Sequence, residues 1–109
     1  MANAYKVLGQ LASTTSAVAL YTCPSSTEAV ISTIVIANRS AADKTFTIIL
    51  RPNDASLEDK HYLAKDITVG ASDTTALTLG ITMDATDKLY VSGSTTDLSF
   101  TAFGSEITA

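Results

Sequence analysis

The chain has 109 residues, of which 46% are hydrophobic, 6% aromatic and 17% charged, with no tryptophan and a net charge of −4. Its cations, Lys6, Arg39, Lys44, Arg51, Lys60, Lys65 and Lys88, stand singly, so no basic stripe is present to neutralise phosphates and nucleic acid is not an expected partner. No run approaches the ~18 consecutive apolar residues of a membrane helix, so no membrane is expected either.

A chain of this length is expected to form one domain, residues 1–109, with a real but small core. Few aromatics and little charge leave that core to Val, Ile, Leu and Ala, with Thr and Ser filling the surface. Met1 to Lys6 lacks the basic-then-apolar pattern of a secretory signal. Cys23 has no second cysteine to pair with, which fits assembly in a reducing cytoplasm.

Taken in order, Tyr5 to Leu11 reads as a first strand with Gly9 as a bend or bulge. After a Ser/Thr turn, Ala17 to Thr22 is a second strand, ended by Pro24 to Thr27. Next come two β-branched runs, Ile31 to Ala37 and Thr45 to Leu50, joined by Asn38 to Asp43. A period of two fits both better than any helical spacing. Folded as an antiparallel hairpin, Ile34 and Ile36 share a face with Phe46 and Ile48. This hairpin is expected to be the centre of the core, its second strand stopping near Pro52, which has no amide hydrogen for a ladder.

Strict alternation turns Ile31, Thr33, Val35, Thr47 and Ile49 to the opposite face. A free-standing domain places charge there, so these five are the candidate contacts with another chain. The polar stretch Asn53 to Lys60 is the longest connection, with Leu57 as its anchor and room for one helical turn. His61 to Val69, Thr74 to Leu79 (broken by Gly80), Leu89 to Ser92 and Leu98 to Phe103 supply the remaining strands, with Gly-, Asp- and Ser-rich turns between them. In the last of them Leu98, Phe100 and Ala102 alternate against Ser99, Thr101 and Phe103. Turns recurring about every 8–12 residues point to an all-β, antiparallel two-sheet β-sandwich of about eight strands, jelly-roll-like or Ig-like. The ends, Ala2 to Tyr5 and Ser105 to Ala109, are expected to be arms that reach a neighbour.

No catalytic constellation stands out. His61 has no serine in a Gly-x-Ser-x-Gly turn to activate, and Cys23, followed by Pro24, has no helix N-terminus to lower its pKa. No enzyme activity and no cofactor are expected. Asn53, Asp54, Glu58 and Asp59, or Asp84 and Asp87, hold oxygen donors but lack the Gly-centred spacing of a calcium loop; they read as turn residues, and no metal is expected. Asn38-Arg39-Ser40 matches the N-glycosylation pattern, but without a secretion signal it too reads as a turn. For a glycan, which needs exposed rings beside polar groups, His61 and Tyr62 are the best-placed pair.

Several stretches together resemble a family of short virion proteins of tailed bacteriophages, common among phages of cyanobacteria and other aquatic bacteria. They are Ala4 to Gln10, Ile34 to Arg39, Leu50 to Pro52, His61 to Ala64, Ala76 to Thr82 and Leu98 to Ile107, in the same order over nearly the whole chain. The resemblance implies a non-enzymatic structural component of the particle: an oligomeric cement or decoration protein, commonly a homotrimer, on the outer capsid surface. Its partners would be further copies of itself and the major capsid protein. The alternative that it allows is a tail-fibre or baseplate-associated module binding a host surface glycan.

Overall fold

The computed structural model describes residues 2–108. Eight strands, β1 (Ala2–Ala12), β2 (Val18–Thr22), β3 (Thr27–Asn38), β4 (Lys44–Arg51), β5 (Tyr62–Val69), β6 (Thr74–Met83), β7 (Lys88–Gly93) and β8 (Leu98–Thr108), form two four-stranded sheets. One sheet has the order β1-β8-β3-β6 and the other β2-β7-β4-β5, with every pairing antiparallel. This is the double-sheet, Greek-key arrangement of a jelly roll, which resolves the topology that periodicity alone left open. The expected all-β sandwich of eight strands is therefore present. The longest connection carries two 3₁₀ turns, Pro52–Asp54 and Asp59–His61, where one helical turn was expected.

The central hairpin does not form. β3 lies between β8 and β6, while β4 lies between β7 and β5 in the other sheet. Ile34 and Ile36 do meet Phe46 and Ile48 in one core, but across the sandwich rather than along a ladder. Alternation in phase is the same whether two strands lie side by side or face each other, so the pattern could not separate these arrangements. The link between β3 and β4 is an arch that Asn38 closes. Its buried Nδ2 donates to the carbonyls of Ala42 at 2.9 Å and Val69 at 3.0 Å, and its Oδ1 accepts from the Ser40 N–H at 2.9 Å. Those bonds tie the end of β3 to the end of β5, across the gap between the sheets. Among the described residues, the only strands consecutive in sequence that pair are β4 and β5.

The core fills with Ile31, Ile34, Ile36, Leu98, Phe100 and Ala102 from one sheet and Phe46, Ile48, Val69, Leu89 and Val91 from the other. Phe46 and Phe100 meet edge to face at its centre, with centroids 6.4 Å apart and planes at 77°, the geometry that the ring quadrupoles favour. With so few aromatics, this pair anchors a core otherwise made of branched aliphatic side chains.

A β-bulge decides which way Ile31 points. The register of β3 slips between Ile31 and Thr33 against both neighbouring strands. The additional residue, Ser32, resets the parity, so that Ile31 points inward with Ile34 and Ile36 and is fully buried. This corrects the expected outward face for Ile31. A similar slip at Leu8 in β1 lets that side chain pack on the core. β6 also differs from expectation. It runs through Gly80, whose φ of 64° absorbs the irregularity, and continues to Met83.

The terminal segments are not free arms. Ala2 to Tyr5 pair with Thr108 to Ser105, and the same end of β8 pairs with Thr27 to Val30 of β3; Ala109 lies outside the described residues. Gly9 lets β1 pass close to β2, since a Cβ there would sit 2.1 Å from the Leu20 carbonyl oxygen.

Candidate interaction surface

A jelly roll has two outer sheet faces, and here they are unlike. On the outside of the β1-β8-β3-β6 sheet the register sets side chains in rows across the strands: Tyr5, Ser105, Val30 and Thr82; then Val7, Phe103, Thr33 and Thr78; then Gln10, Thr101, Val35 and Ala76; then Ala12, Ser99, Ala37 and Thr74. None is charged. Glu28 lies beyond the first row, opposite Ile107. At the other end Arg39 reaches over the sheet, its Nε donating to Ser99 Oγ at 2.9 Å. Tyr5 (83% exposed), Val7 (48%) and Phe103 (39%) stand out on this face. A large side of the molecule is thus hydroxyl and hydrocarbon, with charge only at its ends, Glu28 beside Asp84 and Asp87 at one and Arg39 at the other.

The outside of the β2-β7-β4-β5 sheet is charged and partly covered by the chain itself. Arg51 stacks its guanidinium 4.6 Å from the centre of the Tyr90 ring and donates from Nε to the Ala55 carbonyl at 2.6 Å. The Tyr90 hydroxyl donates to Asp54 at 2.9 Å, and Lys88 lies 3.3 Å from the same carboxylate. That hydrogen bond, followed by the charges of Lys88 and Arg51, holds the Asp54 carboxyl below the usual carboxylate range. The folded-back connection lines a cleft of about 280 Å³ with Leu57, beside Thr45, Thr47, Ile49, Tyr62 and Ser92.

The five predicted contact residues therefore do not share one surface. Thr33 and Val35 lie half-buried on the outside of the first sheet, Thr47 and Ile49 are buried on the outside of the second, and Ile31 is core. Val7 and Phe103, exposed apolar positions of the open face, were missed. Phe103 was legible in the alternation of Leu98 to Phe103, and Val7 needed the Leu8 bulge.

His61 is not available to a glycan. It is buried, and its Nδ1 accepts the Glu58 N–H at 3.0 Å, which places the ring proton on Nε2. Tyr62 is half-buried, with the Lys65 ammonium 5.1 Å from its ring centre. The two neighbours also line different clefts, His61 beside Leu50, Pro52 and Leu63, and Tyr62 beside Ile49 and Leu57. Cys23 is buried, donates from Sγ to the Thr27 carbonyl at 3.3 Å, and has its thiol pushed up by that burial. Asp87 spends both carboxylate oxygens on backbone, Oδ1 on the Asn53 N–H and Oδ2 on the Asp84 N–H, each at 2.9 Å. Among the described residues no group of three or more His, Cys, Asp and Glu side chains is placed to hold a metal ion.

One polar cluster ties the two sheets together at the end where the chain termini pair. Glu106 of β8 receives the Tyr21 hydroxyl of β2 at 2.5 Å and pairs with Lys6 of β1 at 2.7 Å. Lys6 first, then Tyr21, hold the Glu106 carboxyl below the usual glutamate range, while burial and then Glu106 raise the Tyr21 phenol well above its own. A carboxylate with a depressed folded pKa stabilises the fold above its unfolded value, about 4.3, and loses that contribution as pH falls through the folded value. Melting temperature is expected to drop on acidification below that point, and Glu106→Gln is expected to lower it at neutral pH while flattening the acid limb. Thermal melts of both proteins across this range check the sign.

No protein-family model matches the chain, and no curated protein matches it. Among solved structures the fold is similar to a chain in the structure of infectious bursal disease virus Gx strain, at 15% identity and a TM-score of 0.53, covering 96% of this chain. It is also similar to a chain in the crystal structure of the T13 particle of infectious bursal disease virus, at 14% identity and a TM-score of 0.51, covering 95%. The chain spans 31% and 30% of the length of those two chains. The likeness is one of fold: a jelly roll that occurs within larger chains of a virus.

Proposed function

We propose that this chain is a non-enzymatic structural protein of a virus particle, and more finely a cement or decoration protein on the outer head surface of a tailed bacteriophage. The open, uncharged outer face of the β1-β8-β3-β6 sheet carries the reading. Water is a poor neighbour for a sheet side with Tyr5, Val7 and Phe103 exposed, and each Å² covered is worth about 25 cal/mol before the costs of association. The structures of infectious bursal disease virus support a coat role by fold alone, and jelly rolls also serve as lectin domains and cupins. The phage setting and a homotrimer come from the sequence resemblance.

The mechanism is mechanical. Copies of the protein bury apolar sheet surface against each other and against neighbouring major capsid subunits, and symmetry multiplies modest contacts into avidity that resists pressure from within. The glycan-binding tail module has less to stand on, because His61 is buried. Quantitative gels of purified particles test the choice: a cement protein is present in hundreds of copies per particle, and a few dozen copies place it on the tail instead.

A further inference from the structure

The open face has a symmetry of its own. Val7 and Phe103 hold the second of its four uncharged rows; two rows before it, opposite Ile107, stands Glu28, and two rows after it lies the Arg39 guanidinium, bonded to the Ser99 hydroxyl and the Thr96 carbonyl. Neither Glu28 nor Arg39 has an ion-pair partner among the described residues. We infer that a second copy of the chain docks here, sheet on sheet, about a two-fold axis that crosses the strands along the Val7–Phe103 row.

That axis lays β3 on β3 with the direction reversed. Phe103 then meets Phe103 and Val7 meets Val7, so the exposed apolar side chains bury each other at the centre. Glu28 of each copy comes opposite the Ala37–Ser99 row of the other, where the Arg39 guanidinium lies, so the two charges are matched at the rim. An axis running along the strands brings Glu28 near Glu28 and Arg39 near Arg39, which like-charge repulsion opposes. A contact of this kind is isologous, the form that closes a pair. The area is sufficient. Four strands ~4.8 Å apart and about ten residues long, at ~3.3 Å each, give a face of roughly 600 Å², so two copies cover on the order of 1,200 Å², the lower bound for a stable standard interface.

The inference rests on the oligomeric coat reading and names its contact. Sedimentation velocity over a range of concentrations tests it, on the full chain and on Phe103→Lys, Glu28→Arg and the charge exchange Glu28→Arg with Arg39→Glu. The unaltered chain is expected as two copies, or six if a threefold contact also forms through another surface. Phe103→Lys is expected to abolish the pairing with an unchanged circular dichroism spectrum. Glu28→Arg should weaken it about tenfold, and the exchange should restore it. A monomer, a bare trimer, or an exchange variant no better than Glu28→Arg overturns the inference. Hundreds of copies per particle alongside a monomer or trimer would sink this pairing and leave the coat role standing; pairing by a protein absent from the particle would do the reverse.

Discussion

Ile31→Lys is expected to abolish folding, whereas Val35→Lys, four residues along the same strand, is expected to leave the fold intact. Ile31 is fully buried between the sheets, and Val35 lies on the outer face opposite Thr101 and Ala76. Losing a buried isoleucine side chain costs about 2–5 kcal/mol, and an ammonium group forced into that site without a partner adds a further desolvation penalty. Folded domains hold only about 5–15 kcal/mol in reserve, so the variant should show no cooperative melt by circular dichroism. Val35→Lys should melt near the parent temperature and lose self-association. Two similar melts would mean that the bulge at Ser32 does not set the parity of β3.

The second large effect is expected at Gly104. It sits opposite Ile31 beside the bulge, and a Cβ there would lie 1.9 Å from the Val30 carbonyl oxygen and 3.0 Å from the Ile31 Cα. Both obstacles are backbone of the neighbouring strand, so no side-chain rotation relieves the clash. β8 is a central strand held on one side by β1 and on the other by β3, so moving it disturbs two ladders. Gly104→Ala is therefore expected to cost about 4 kcal/mol or more, lowering the melting temperature by roughly 15 °C or more for a domain of this size. Gly80→Ala is the matched control. Nothing lies within 4 Å of a Cβ there, and only the φ of 64° opposes it, a cost of about 1–2 kcal/mol. Equal losses in the two variants would contradict the close packing of β8 on β3.

The strand content and most of the core were legible in the sequence because alternation survives through most of each strand, between the bulges. Phe46, Ile48, Leu89, Val91, Leu98 and Phe100 all point where a period of two sends them. The pairing was not legible, since an arch and a hairpin place the same residues in the same phase. The arch is held by Asn38, whose bonds to Ala42, Val69 and Ser40 join residues that only the tertiary fold brings together. The contact face was half legible. The spacing of Ile31, Ile34 and Ile36, three then two, breaks strict alternation and carries the signature of the bulge, yet a uniform period placed Ile31 outside. Thr47 and Ile49 were placed on the correct side of their own strand, but that side belongs to the other sheet and lies under Leu57. His61 reads as a loop residue; only the tertiary fold shows its ring turned in toward the Glu58 amide.

The two outer faces divide the molecule's work. One is cross-braced by Arg51, Asp54, Lys88 and Tyr90 and partly covered by its own connection; the other is left open, its four central rows free of charge. A density map of intact purified particles tests the coat role most directly. Many copies of this jelly roll are expected on the outside of the head, each with its β1-β8-β3-β6 sheet buried against another protein chain. Particles whose heads lack such density, or in which that sheet faces solvent while the β2-β7-β4-β5 side makes the contacts, would contradict it.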